Sequence, residues 1–201
     1  MKILAGTLIT QNLTAHLLNR RKTLGPFADL NELRHFLMEQ PWIPAGDWTD
    51  FGRGSTAVRQ LMLAAALTAG DFGAPLAAET GVIGWNGCGC TAENLRFWQD
   101  YVRNGRGNGR GGLFVATLPT IPFCEAAIAF GWQGASAYFR TENSTIALFR
   151  LLEQRPAGKY LVGEIMPGTV CALLTETGPV SDPAPDFATL EQLFIHLEEQ
   201  L

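Results

Sequence analysis

The residues best placed to do chemistry lie where a predicted strand passes into a predicted helix, at Thr141, Glu142, Asn143 and Ser144. Many enzymes hold a nucleophile at such an elbow, because the free N–H groups of the helix N-terminus stabilise a developing negative charge. Residues 135–139 have the pattern of an extended segment, and Asn143 and Ser144 are both good N-cap residues for the following helix. The elbow contains no cysteine, so its candidate site residues are Glu142, Asn143 and Ser144.

The elbow does not show a complete catalytic set in the sequence. Ser144 could act as a nucleophile with a base beside it, but the three histidines, His16, His35 and His196, are all remote in sequence. A carboxylate such as Glu142 is also favoured at a helix N-terminus for stability alone, through the helix dipole. We therefore predict candidate residues here but no firm catalytic residue.

A predicted buried helix and a glycine turn position the elbow. Pro122 suits the first turn of this helix, where its missing N–H would go unused. Residues 126–129 are mostly small and allow close packing, and Gly131 and Gly134 end the helix before the strand.

This order of elements resembles the β-ketoacyl synthases, the condensing enzymes of the thiolase fold. The family run is an Ala-rich helix, G-x-x-G-P, a strand, Thr-Ala-Cys-x-Ser and a second helix. Gly131, Gly134 and Thr141 match the two glycines and the threonine. The family's active-site cysteine would fall on Asn143, or on Glu142 if the register slips by one.

The resemblance covers most of residues 1–177. It includes a helix that begins after Ser55, a strand at 80–85 with a glycine-rich loop, and two strands at 159–165 and 170–175. It implies an α/β fold over residues 1–177, a three-layer thiolase-like half with a mixed central sheet and helices on both faces. Residues 178–201 would add a Pro-rich linker and a C-terminal amphipathic helix.

A half-thiolase fold would expose a layer of apolar helices, and exposed patches of that size usually mark an interface. We therefore expect the C-terminal helix, a partner chain, or both to cover apolar surface. In the family, the strand before the elbow pairs with its twin across a dimer axis. Residues 135–139 would take that role here, with a ketosynthase-type partner or a second copy.

A working ketosynthase needs the cysteine and two histidines from a second half-domain. None of the three histidines lies in a matching motif, and Cys124 falls in the helix before the elbow. The resemblance therefore implies a ketosynthase-like protein without condensing activity, a partner or acyl-binding subunit in fatty-acid or polyketide biosynthesis. Two alternatives stay open: an acyltransferase or decarboxylase that uses Ser144 or Glu142, and a scaffold without a ligand.

Two structural observations would separate these alternatives. A tunnel beside the elbow, lined by Phe114, Phe123 and Phe139, would favour acyl binding over a scaffold. A histidine within hydrogen-bond distance of Ser144 would favour active chemistry.

The glycine-rich segment 104–112 carries Arg106 and Arg110, which could contact a phosphopantetheine phosphate or an acyl carrier protein. A mobile surface loop fits the same sequence equally well. No Walker Lys-Ser/Thr pair follows it, so a P-loop is excluded.

Composition bounds the remaining possibilities. A chain of 201 residues predicts one domain, and a net charge of −4 argues against a nucleic-acid partner. No apolar run is long enough to span a membrane and no signal peptide is recognisable, so we expect a cytoplasmic protein. The four cysteines lack the spacing of a zinc site and are interpreted as buried thiols, so neither a metal nor a cofactor is predicted.

Three further expectations concern individual elements. Residues 16–18 are predicted to be helical, with Arg20, Arg21 and Lys22 at the helix end. The helix after Ser55 is predicted to end at Gly70, and the last helix is predicted to open at Asp186.

Overall fold

The computed structural model describes residues 1–88, 90–105, 110–178 and 186–201. Its strands are β1 Lys2–Ile9, β2 Ala15–Leu17, β3 Lys22–Leu24, β4 Gly81–Trp85, β5 Ser136–Phe139, β6 Lys159–Met166 and β7 Thr169–Glu176. Its helices are α1 Leu30–Met38, α2 Thr56–Phe72, α3 Thr91–Asn104, α4 Gly111–Val115, α5 Ile121–Ala129, α6 Thr145–Glu153 and α7 Leu190–Gln200. A 3-10 turn covers Phe51–Arg53 before α2.

The strands form one mixed sheet in the order β3-β2-β1-β7-β6-β4-β5. β4 runs parallel to both β5 and β6, whereas β7 is antiparallel to β6 and β1. Because β4 and β5 are parallel, their carboxyl ends meet at the same edge of the sheet, and the elbow follows the carboxyl end of β5. The predicted mixed sheet is confirmed.

Helices cover both faces of the sheet, as predicted. On one face α2 is almost completely buried, with Leu61 and Leu67 fully buried in a core that includes Phe123 of α5. On the other face α6 and α7 pack over a second core that contains Trp85 and Phe194. The C-terminal helix therefore does cover apolar surface of the sheet, while most of the predicted Pro-rich linker, residues 179–185, lies outside the described residues.

The prediction of a helix at residues 16–18 is wrong. This segment is β2, which forms a hairpin with β3, and Arg20 and Arg21 lie in the turn between the two strands. The burial follows the two-residue period of a strand, since Ala15 and Leu17 are buried and His16 is half-buried. Asp71 of α2 fixes the start of the turn, because its carboxylate accepts the Arg20 N–H at 2.9 Å.

The predicted end of α2 at Gly70 is also wrong. The helix continues to Phe72 and ends at Gly73, which has the left-handed φ of 76° that favours glycine after a helix. Gly70 serves packing instead, because a Cβ at this position would lie 2.7 Å from a ring carbon of Trp42.

The last helix begins at Leu190, with Thr189 as its N-cap, rather than at Asp186. Asp186 has a different role, described below. Within the described residues, no helix combines the length and apolar character needed to cross a membrane.

Candidate functional site at the elbow between β5 and α6

The elbow is a short extended turn from β5 into α6. Ser144 is the N-cap of α6, as predicted, and its hydroxyl accepts the backbone N–H of Ala147 at 3.2 Å. Glu142 and Asn143 are exposed, and Ser144 is half-buried. The structure thus brings the three predicted site residues together at the helix N-terminus.

Asn86, the residue after β4, holds the elbow in place. Its amide nitrogen donates to the Glu142 carbonyl at 3.1 Å and to Asn143 Oδ1 at 3.2 Å. Its Oδ1 accepts the Thr141 N–H at 2.8 Å. Trp85 adds a fourth link, from its indole N–H to the Thr141 hydroxyl at 2.8 Å.

Sequence reasoning missed Asn86, although a signal was present. An Asn-Gly pair directly after a buried strand indicates a residue in the left-handed region. Asn86 adopts φ 42° and is buried, which brings its side chain under the elbow.

Asp186 occupies the N-terminus of α6. Its carboxylate accepts the Ser144 hydroxyl at 2.9 and 3.0 Å and the Ile146 N–H at 3.1 Å. The N–H of the next residue, Phe187, donates to Thr145 Oγ1 at 3.0 Å, and the Thr145 N–H donates to the Phe187 carbonyl at 2.9 Å. The segment before α7 is therefore fastened directly to the elbow.

These hydrogen bonds set the electrostatics of the site. The Ile146 N–H and the Ser144 hydroxyl hold the pKa of Asp186 below its ordinary value of 3.8. A carboxylate with a lowered pKa is a weak general base at neutral pH. Ser144 donates to this carboxylate and accepts from Ala147, so its only hydroxyl proton is engaged in a structural hydrogen bond.

No histidine in the described part of the chain is hydrogen-bonded to Ser144. His16 lies near Thr23 and Glu198, His35 contacts Arg34, and His196 contacts Gln200 at 2.8 Å. Cys124 does not reach the elbow as a nucleophile either, since it lies within α5 and burial raises its pKa. The elbow can bind a carboxylate, but it presents no activated nucleophile.

The three phenylalanines considered for a tunnel contact different groups. Phe114 packs against Phe97, Phe123 packs against Tyr138, and Phe139 lies under the guanidinium of Arg155. They are not gathered in one cluster beside the elbow.

Arg110 lines a cleft of about 620 Å³ between the N-terminus of α2 and the helices α3 and α4. Arg53 and Arg96 line the same cleft together with Glu93. Arg110 lies 3.9 Å from Asp100, and Arg53 lies 3.2 Å from Asp50. Arg106, the second residue proposed for a carrier contact, lies outside the described residues.

Glu164 of β6 is a buried carboxylate. It accepts the N–H of Leu190, the first residue of α7, at 2.6 Å. Burial raises its pKa to about 7, against the opposing effect of the Leu190 and Gly87 N–H groups.

Comparisons with known proteins were informative for the fold. No protein-family model matches the chain, and no curated protein matches it. Among solved structures, the chain is similar to a chain of "Ketosynthase (ApeO) in Complex with its Chain Length Factor (ApeC) from Xenorhabdus doucetiae". The match has a TM-score of 0.58 and 11% sequence identity, and it covers 99% of this chain and 90% of that chain.

The likeness shows the fold. The chain has a ketosynthase-like fold, a thiolase-like α/β half, as the order of its sequence motifs predicted.

Proposed function

We propose that this chain is a non-condensing, ketosynthase-like subunit that works beside a ketosynthase-type partner in polyketide or fatty-acid biosynthesis. One observation carries the proposal. The elbow between β5 and α6 contains no cysteine, and Asp186 fills the adjacent helix N-terminus. By the motif resemblance, the family's cysteine would fall on Asn143, or on Glu142 if the register slips by one, so the elbow offers no thiol for an acyl-enzyme.

The competing proposal, an acyltransferase or decarboxylase acting through Ser144 or Glu142, has less support. Ser144 is bonded to a carboxylate of lowered pKa rather than to a histidine, so removal of its proton is not assisted. Glu142 is exposed, and the bond that holds it to Asn86 involves its backbone carbonyl. The geometry therefore favours a non-catalytic elbow.

The edge strand β5 supports the proposal of a partner subunit. Its backbone pairs with β4, where the Ala135 carbonyl accepts from Val82 and the Phe139 carbonyl accepts from Asn86. Since strand residues alternate in direction, the N–H groups of Ser136 and Tyr138 point away from β4. An open edge of this kind can continue its sheet into a second chain. The structural neighbour is a chain of a complex between a ketosynthase and its chain length factor.

An acyl carrier protein is the second partner that we propose. Carrier docking would use the cleft lined by Arg53, Arg96 and Arg110, whose guanidinium groups can pair with carboxylates or phosphate.

A reconstituted condensation assay tests the proposal. The chain alone, a ketosynthase alone and the two together are incubated with acyl- and malonyl-loaded carrier proteins, and products are measured by mass spectrometry. We expect no product from the chain alone, and a changed yield or product length when both are present. Condensation or decarboxylation by the chain alone would contradict the proposal.

A further inference from the structure

Glu164 lies where the two supports of the elbow meet. Its side chain is 3% exposed, and its carboxylate accepts the N–H of Leu190 at 2.6 Å and the N–H of Gly87. Leu190 is the first residue of α7, and Gly87 directly follows Asn86, which holds the elbow from the other side. One buried acid is therefore bound to both chain segments that support the elbow.

The start of α7 is fastened to the sheet on both sides of Leu190. The Leu190 N–H donates to Glu164, and the Leu190 carbonyl accepts the thiol of Cys171 at 3.5 Å. Cys171 lies opposite Glu164 in the pairing of β6 with β7, and it is 2% exposed. These two neighbouring side chains thus hold the first residue of α7 against the sheet.

We call residues 186–190 the strap, because they join Glu164 to the elbow. At one end of the strap, Asp186 accepts the Ile146 N–H at the N-terminus of α6. At the other end, Leu190 donates to Glu164. The two ends are four positions apart in sequence. A segment this short transmits a displacement of one end to the other.

Titratable groups face Glu164 from four surrounding segments. They are Cys171 on β7, Glu191 on α7, Tyr138 on β5 and Cys88 in the loop after β4. Each is neutral or negative at neutral pH, and no lysine or arginine in the described part of the chain forms an ion pair with Glu164. The ionised carboxylate is therefore the costly form while the strap covers it.

We propose that Glu164 is a pH-sensitive latch for the strap. With its carboxyl group protonated, the strap stays on β6 and keeps Asp186 at the N-terminus of α6. Loss of the proton to solvent favours a released state, in which the strap leaves β6 and the Glu164 carboxylate reaches water. Asp186 then withdraws from the elbow, and Ser144 and the first N–H groups of α6 are uncovered.

The latch goes beyond the proposed function, because it concerns when the elbow is covered and not which chains assemble. Its direction follows from the pKa of Glu164, which is about 7 with the strap in place and returns to the ordinary 4.5 in water. Release is thus favoured as the pH rises through this interval. The equilibrium constant for release should grow about 30-fold between pH 5.5 and pH 8.5.

Hydrogen exchange of the full chain, followed by mass spectrometry, tests the latch. Glu164→Gln keeps a carbonyl oxygen for the Leu190 N–H but cannot ionise. At each pH, the exchange rate of the natural chain is divided by that of the variant, which removes the base catalysis common to both. For peptides that cover the strap and for those that cover Thr145 and Ile146, we expect this ratio to rise about 30-fold from pH 5.5 to pH 8.5.

Two controls separate local release from other causes. Amides in the middle of α2 report unfolding of the whole domain, and strap and elbow amides should be about tenfold or more less protected. Glu191→Gln removes a neighbouring charge but keeps the latch, so it should retain most of the pH-dependent rise. Equal protection of α2 and the strap would overturn the latch. A rise in the strap that the elbow peptides do not share would overturn it as well.

Cys171 provides a second readout that needs no variant. Because its thiol lies under the start of α7, iodoacetamide should reach it through the released state. Cys124 on α5 is the reference, since the thiolate fraction of both residues rises with pH. The ratio of Cys171 to Cys124 alkylation should rise about tenfold or more between pH 5.5 and pH 8.5. A ratio that stays constant or falls would overturn the latch and leave the proposed function untouched.

Discussion

The hydroxyl of Ser144 donates its single proton to the carboxylate of Asp186, 42 residues away in sequence, and lies 2.9 and 3.0 Å from the two carboxylate oxygens. This contact fills the N-terminus of α6 with a negative charge that belongs to the chain itself. In an enzyme with a nucleophile at the elbow, that position would stabilise a thiolate or an oxyanion. Here it fastens the segment before α7 to the elbow.

Replacing Asp186 by asparagine should destabilise the protein in a pH-dependent way. The pKa of Asp186 is lowered in the folded state, so its contribution to stability is present above the unfolded value of 3.8. That contribution is lost as the pH falls through the lower folded pKa. Thermal melts at neutral pH and at about pH 3 should show a lower Tm for Asp186→Asn at neutral pH and a smaller difference in acid.

Asp50→Asn is the control for Asp186. Asp50 is an exposed aspartate whose partner is Arg53, and exposed ion pairs of this kind contribute little to the stability of the fold. An equal loss of Tm in both variants would contradict the role given to Asp186.

Glu164 should make the protein less stable as the pH rises. Its folded pKa of about 7 is raised from 4.5, so its contribution is fully present below pH 4.5 and is lost as the pH rises through 7. No cation among the described residues offsets the charge, and Cys171 and Glu191 lie nearby. Glu164→Gln is neutral at this position at every pH. Between pH 5 and pH 8 its free energy of unfolding should rise by on the order of 2 kcal/mol relative to that of the natural chain.

Urea unfolding at the two pH values measures this difference. Glu176→Gln is the control, because Glu176 is exposed beside Lys159 and should show little such change. If the free energies of unfolding of the natural chain and of Glu164→Gln changed with pH in the same way, the buried carboxylate would not be titrating as described.

Asn86 should be required for the stability of the elbow. Asn86→Gly removes three side-chain hydrogen bonds and should cost about 2 kcal/mol in the free energy of unfolding. Asn86→Ala should cost about 1 kcal/mol more, because alanine is strained at the positive φ of this position. Asn143→Ala removes one of the same hydrogen bonds at an exposed site. Urea unfolding should therefore show a smaller loss in the free energy of unfolding for Asn143→Ala than for either Asn86 variant.

The open edge of β5 should be sensitive to proline. Ser136→Pro removes an N–H that points away from β4, so the fold should tolerate it while pairing with a ketosynthase-type chain weakens at least tenfold. Ser136→Ala keeps the N–H and is the control. Binding measured by titration calorimetry with equal affinity for the two variants would exclude the β5 edge as the contact.

Elements with local signals could be predicted from the sequence. Ser55 and Ser144 mark the starts of α2 and α6, and the strands at 81–85, 159–166 and 169–176 follow buried apolar runs. The β2–β3 hairpin could not be predicted in the same way. Its turn is held by Asp71, which accepts the Asn19 and Arg20 N–H groups from more than 50 residues away.

The candidate site also combines local features, which the sequence could predict, with contacts between distant residues, which it could not. The cap position is a local property, and Ser144 is one of the two residues predicted for it, beside Asn143. Asp186 and Asn86 reach the elbow from 42 and 57 residues away, through side-chain contacts that only the packed sheet creates. The exposure of Leu95, Trp98 and Val102 on α3 could not be predicted, because periodicity shows that a helix is amphipathic but not which side faces solvent.

Intact-mass spectrometry after incubation with acyl- and malonyl-loaded carrier proteins tests the central claim most directly. The natural chain and Ser144→Ala should both stay unmodified, because the elbow lacks an activated nucleophile. Asn143→Cys should gain one acyl group, since it places a thiol at the helix N-terminus, and the doubly substituted chain that also carries Asp186→Ala should react faster. A covalent acyl adduct on the natural chain that maps to Ser144 would contradict the claim, and the protein would then be an acyltransferase in its own right.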